Sequence, residues 1–326
     1  MSAVPPMPPA RLRILPQAGP AAWRAAELRP ADWMLPLGTE DAADIEAVIA
    51  ALGGRAPLSA AEAPLPRLGP LLRQAAARLD SGRGFALLRG LKLVEPEAEA
   101  LLLVLGTHLG RALPQGPGGE AVARLASPAG DVARRRFRAE AADIVVLLTL
   151  CQPPEADPAM LVAAASVHNA MLQRDRQALA ALHAPLPHLL RPLGPGAEPQ
   201  VVELPVFSIA SGAFIGRYAR DAIEAAQRLA TTPCLTAAQV KALDLLDAIC
   251  MEPGLALPLD VRPGDVLLFN PLQVWKRRAE GAETAGAMWQ ALQLLLVTPT
   301  SRALPGGMAA LDEGPVPGTQ GGMVGG

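Results

Sequence analysis

Four short, largely apolar runs constrain this chain most: Phe85-Ala86-Leu87-Leu88 between Gly84 and Gly90, residues 144–150 broken only by Thr149, Val266-Leu267-Leu268-Phe269, and residues 290–297. Each is too short for a buried helix, and none alternates apolar with polar residues. They therefore predict strands buried on both faces. A fifth run, residues 201–207, contains Pro205, which predicts an edge or a bulge. Arg262-Pro263-Gly264-Asp265 predicts the turn that launches residues 266–269. The strands are joined by long connections into which helices are inserted. Thr39 reads as the N-cap of a helix ending at Gly53-Gly54, and Pro70 as the start of another ending at Asp80-Ser81-Gly82. Residues 95–105 predict a third, and Thr236–Gln239 reads as a capping box opening a fourth that reaches about Ile249. The fold class predicted is α+β, a double-stranded β-helix (jelly roll) core with flanking helices.

Composition sets the outer limits. The 326 residues are 51% hydrophobic, enough for one large core, with Ala and Leu carrying the apolar content. Residues 1–20 read as a flexible or extended lead-in, 21–305 as one domain, and 306–326, rich in glycine, as a disordered tail. A net charge of −2 gives no electrostatic case for nucleic acid or for an anionic membrane. No apolar run is long enough to span a bilayer, and the proline-rich start lacks the apolar centre of a signal peptide. Three scattered cysteines, Cys151, Cys234 and Cys250, fit a reducing, cytoplasmic setting and read as small buried apolar groups.

Several stretches, in order, carry a resemblance. They are Gly82-Arg83-Gly84-Phe85 with Leu88-Arg89-Gly90, Leu105-Gly106-Thr107-His108-Leu109-Gly110, and Val167-His168-Asn169-Ala170. Pro205-Val206-Phe207, Tyr218-Ala219-Arg220, Pro263-Gly264-Asp265-Val266 and Ser301-Arg302-Ala303-Leu304-Pro305 continue it. Over about residues 20–305 the chain resembles the TauD/TfdA-like iron(II)- and 2-oxoglutarate-dependent oxygenases. The resemblance implies a jelly roll in which two histidines and a carboxylate hold iron(II) and an arginine anchors 2-oxoglutarate.

At those positions this sequence differs. Arg138 stands at the first histidine, Glu140 at the carboxylate, Lys276 at the second histidine, and Gln293 near the anchoring arginine; Arg278 matches a family arginine. No metal site is therefore expected. Two readings of Arg138, Glu140 and Lys276 stay open. They form a buried salt-bridge cluster in the emptied centre, or the pocket has collapsed or opened and they are ordinary solvated charges. The surplus of Arg138, Lys276 and Arg278 over Glu140 suits a small anionic molecule such as a carboxylate or sulfonate, with Lys276 as base or Schiff-base amine a further reading. Of the four histidines, His168 reads as a structural or surface imidazole and His108 as capping or packing at a helix end, while His183 and His188, flanking Ala184-Pro185-Leu186-Pro187, read as a surface loop pair that could bind metal but lacks a third ligand. Arg83 and Arg89 read as structural. The leading expectation is a degenerate member of the family that binds a small anion or a protein partner, with homo-oligomers or an active paralogue as partner classes. The alternative is a working oxygenase using iron(II) and 2-oxoglutarate with an atypical ligand set.

Overall fold

A computed structural model describes residues 14–91, 97–115, 118–127, 136–153, 158–192, 199–210, 212–277, 289–298 and 321–323. In chain order the helices are α1 (Pro30–Trp33), α2 (Thr39–Leu52), α3 (Leu68–Asp80), α4 (Ala98–Thr107), α5 (Ala164–Arg174), α6 (Arg176–His183), α7 (Arg220–Ala226) and α8 (Ala237–Cys250). The strands are β1 (Met34–Pro36), β2 (Phe85–Arg89), β3 (Arg111–Ala112), β4 (Val122–Ser127), β5 (Ile144–Cys151), β6 (Ala159–Ala163), β7 (Leu186–Pro192) and β8 (Gln200–Leu204). They continue with β9 (Phe207–Ala210), β10 (Ala213–Gly216), β11 (Leu257–Leu259), β12 (Val266–Phe269), β13 (Val274–Arg277), β14 (Trp289–Val297) and β15 (Gly321–Met323).

The major sheet runs β1-β2-β12-β5-β14-β3, with β4 also on β14, and the minor sheet runs β11-β6-β13. The four runs that led the sequence reading are β2, β5, β12 and β14, neighbours in the major sheet. Their side chains divide by the two-residue period of a strand. Ala86, Leu88, Val146, Leu148, Leu268, Leu292 and Leu294 pack on one face with α2, α3 and α4. Phe85, Leu87, Val145, Leu147, Leu267 and Phe269 pack on the other against Leu161, Ala163 and Val274 of the minor sheet. The far face of the minor sheet, with Val162 and Trp275, meets α5, α6 and α8. The result is helices, sheet, sheet, helices: an α+β jelly-roll core with flanking helices, as predicted.

Local corrections have local causes. Thr39 is the first helical residue and not the cap; Gly38 takes the N-cap position, and its N–H donates to Asp41 at 2.8 Å. The α3 helix begins two residues before Pro70, because Asp44 of α2 accepts from the N–H groups of Arg67 and Leu68 at 3.1 Å each. The run 201–207 divides into β8 and β9 around Pro205, which has no N–H for a ladder. The Thr236–Gln239 capping box forms as read. The turn before β12 closes through Asp265 N–H to Arg262 O at 2.9 Å, with Gly264 at φ +89°.

From Ile14 the lead-in packs onto the domain. Asn169 exchanges two hydrogen bonds with the Gln17 backbone, at 2.7 and 2.8 Å, and Ile14 is buried. Of the tail, β15 pairs antiparallel with β7, and 306–320 lie outside the described residues. Among the described residues no helix is long and apolar enough to cross a membrane.

Candidate functional site

Phe137 and Ala139 are buried toward α5 and α8, so by alternation Arg138 and Glu140 face the opposite way, between the two sheets. An isolated antiparallel bridge fixes this. The Arg138 N–H donates to Lys276 O and the Lys276 N–H to Arg138 O, both at 3.1 Å. The Ala139 N–H donates to Tyr218 O at 2.7 Å on the other side. Directly opposed residues of an antiparallel pair share a face. Lys276 also shares that face with Val274, which lies in the inter-sheet core.

The sequence-predicted residues therefore come together. Arg138 Nε donates to Glu140 Oε1 at 3.2 Å. Lys276 Nζ lies 5.3 Å from the centre of the Trp289 ring, a cation–π distance. Lys276 is 7% exposed, and the Arg138 and Glu140 side chains 19% and 22%. Arg138 and Glu140 thus form a largely buried ion pair, while Lys276 joins Arg138 through the backbone and its ammonium lies over Trp289. Arg278 lies outside the described residues.

A third cation, which the sequence reading did not single out, completes the centre. Arg217 follows β10; its N–H donates to Val206 O at 2.7 Å, and the residue is 2% exposed. Burial pulls its pKa down to about 10, against the opposing pull of the Glu140 carboxylate. Its Nε and Nη2 have no hydrogen-bond partner among the described residues. Beside it, His188 on β7 is fully buried. Its pKa falls to about 4, first through burial and then through the Arg217 charge, opposed by the bond to Leu186. The expectation of a surface His183–His188 pair is thus corrected. His188 sits inside β7, and the half-buried His183 points instead at His168, Nε2 to Nε2 at 3.1 Å, beside Phe207 and Phe214.

The remaining candidates are framework. Gln293 and Gln115 pair side chain to side chain at 2.9 Å, and Gln115 also donates to Gln293 O at 2.9 Å, so this position holds a neutral amide pair. Arg89 grips Asp265 through Nε at 3.1 Å and Nη2 at 2.6 Å, Arg83 pairs with Asp32 at 3.3 Å, and His108 bonds Ala63 O. Cys250 is buried, but Cys151 and Cys234 are exposed, contrary to the reading of all three as core groups.

The chemistry of these side chains is definite. A guanidinium keeps its protons, and an ammonium offers no lone pair until it loses one. Among the described residues no three His, Cys, Asp or Glu side chains gather as a metal-ligating group.

The model of the taurine catabolism dioxygenase TauD, TfdA family matches residues 50–285. The FR-33289 synthase of Streptomyces rubellomurinus (strain ATCC 31215) is 26% identical over 250 residues, 71% of this chain and 73% of that protein. Among solved structures, an asparagine oxygenase in complex with Fe(II), 2S,3S-3-hydroxyasparagine and succinate superposes with a TM-score of 0.59 at 19% identity, covering 81% of this chain and 93% of that one. The non-heme iron oxygenase OrfP, in complex with Fe, succinate and (3S)-hydroxy-L-Arg, gives 0.56 at 14%, covering 81% and 94%. At these identities the structures speak for the fold.

Proposed function

This chain belongs to the taurine catabolism dioxygenase TauD, TfdA family, and we propose that it is a member whose centre works without iron(II) and holds a small anion instead. The observation that carries the reading is the cross-strand bridge. It sets Arg138 directly against Lys276, at the two positions where the family resemblance calls for imidazoles. Those residues do not fit iron(II). Two protonated cations supply no donor atoms, and Glu140, at the position matched to the carboxylate ligand, already accepts from Arg138. The position matched to the 2-oxoglutarate arginine carries Gln293, bonded to Gln115. What these residues offer is positive charge. Arg138 pairs with Glu140, Lys276 is bridged to Arg138, and the Glu140 charge acts on the buried Arg217; in such a largely buried setting a charge-assisted bond to a carboxylate or sulfonate is strong.

This charge favours a small anion over a protein partner as the occupant. A second copy or an active paralogue would act on the outer surface, in a cytoplasmic setting.

A second reading, a working oxygenase, draws on family membership and on the carboxylate kept at Glu140. One assay separates them. Purified protein is mixed anaerobically with iron(II) and 2-oxoglutarate, oxygen is admitted, and succinate is measured. The proposal expects succinate no higher than in the protein-free control. Succinate released in proportion to protein would establish the oxygenase.

A further inference from the structure

Arg217 is a cation carried into the interior with two of its nitrogens unmatched. Nε and Nη2 are the pair whose N–H bonds lie parallel along one edge of a guanidinium, the edge that receives both oxygens of one carboxylate. Both lack a partner among the described residues. A buried donor left unpaired is costly, and a buried charge more so, so an unmatched edge of this kind is occupied in the working protein.

His188 supplies a second unmatched atom. Its Nδ1 lies 2.8 Å from Leu186 O. A carbonyl oxygen only accepts, so Nδ1 carries the ring proton and Nε2 presents a lone pair. Nε2 has no partner either. The backbone brings the segments that carry the two residues together. The Arg217 N–H donates to Val206 O, and the Val206 N–H donates at 3.0 Å to Leu182 O, just before the chain turns from α6 into β7 and His188. Burial first, and the Arg217 charge after it, keep the His188 ring neutral, which preserves that lone pair.

The two demands differ in kind: Arg217 needs acceptors and His188 needs a donor. We infer that Arg217 and His188 form an internal subsite for a small 2-hydroxycarboxylate, its carboxylate on the Arg217 edge and its hydroxyl donating to His188 Nε2. This inference rests on the anion-binding reading of the same centre. It also separates the ligand from a 2-oxo acid, which brings acceptors only and leaves His188 unanswered. A single water could also donate to His188 Nε2 and accept from both Arg217 N–H groups, and the titration below separates that occupant from a carboxylate.

The test uses the full chain without added metal, with arginine side chains labelled with nitrogen-15. The Arg217 Nε–H resonance is assigned by its loss in Arg217→Met, or in Arg217→Lys if the first variant does not fold. Glycolate, L-lactate and pyruvate are then titrated. The inference expects a saturable shift of that resonance with glycolate or lactate, at least tenfold weaker binding of pyruvate, and a tenfold or greater loss of glycolate affinity in His188→Phe. An Arg217 resonance unmoved by every carboxylate would mean that water alone fills the subsite, and equal binding of lactate and pyruvate would remove the role given to His188. Either result overturns the inference. Iron(II) uptake is scored separately, so failure of the iron-free reading is seen independently of this subsite.

Discussion

Arg89 and Arg217 are two cations held in the same β-framework and matched in opposite ways. Arg89 meets both oxygens of Asp265 and the carbonyl of Asp260, and these partners raise its pKa. Arg217 is more deeply buried, has two unmatched nitrogens, and draws on a carboxylate that Arg138 also engages. A scaffold neutralises its charges locally, because an unpaired buried ion is expensive. A cation left with an open edge is the pattern of a binding centre. On the proposed reading, the contrast separates a binding centre near Glu140 from a structural ion pair at the β2–β12 end.

Four changes test that contrast, from the largest effect down. Asp265→Ala strands Arg89 and removes the carboxylate that accepts from Arg262 N–H in the turn before β12; urea unfolding should show a loss of about 3–5 kcal/mol. Acid should act next, through the histidines beside and beyond Arg217. His188 and His168 both have folded pKa values of about 4, from a usual 6.5, and burial is the first cause in each. Below pH 6.5 the unfolded chain takes up protons that the folded chain refuses. Stability is thus complete above pH 6.5 and falls as the pH drops toward about 4, by up to about 3 kcal/mol for each group. His188→Gln should flatten that slope, and Arg217→Met should narrow the window by letting the His188 pKa rise. Equal slopes in all three proteins would remove Arg217 from the account of His188.

Glu140→Gln removes the carboxylate that accepts from Arg138. Because both side chains keep about a fifth of their surface exposed, the expected loss is about 1–3 kcal/mol and not that of a fully buried pair. An unchanged urea midpoint would make these charges ordinary solvated ones. The smallest change is expected of Arg217→Met, which keeps the buried stem and deletes the unmatched charge. Its stability should equal or exceed that of the parent. A loss of several kcal/mol would show Arg217 to be a structural cation like Arg89.

The strands of the major sheet were legible because each is an unbroken apolar run, and Pro205 marked where a strand would fail. The start of α3 was not, because its cap, Asp44, comes from another helix. In the site, Arg138, Glu140 and Lys276 could be found from their places relative to the resemblance, and the bridge joins them. Arg217 could not. An arginine at the end of a strand reads as the strand's exposed end, and only the packing of β7 and the 137–140 segment around it makes it interior. His188 was misread for a similar reason. Pro185 and Pro187 suggested a surface loop, whereas Leu186–Pro192 is the central strand between β8 and β15.

The central claim is that Arg138 and Lys276 displaced the metal from an otherwise retained framework. Anaerobic iron(II) titration in the presence of 2-oxoglutarate, followed by metal-to-ligand absorption, tests it directly when the parent is measured beside Arg138→His/Lys276→His. The account predicts no stoichiometric iron uptake by the parent and a gain of uptake when two imidazoles join Glu140. One equivalent of iron bound by the parent, with the absorption band of a 2-oxoglutarate complex, would contradict it.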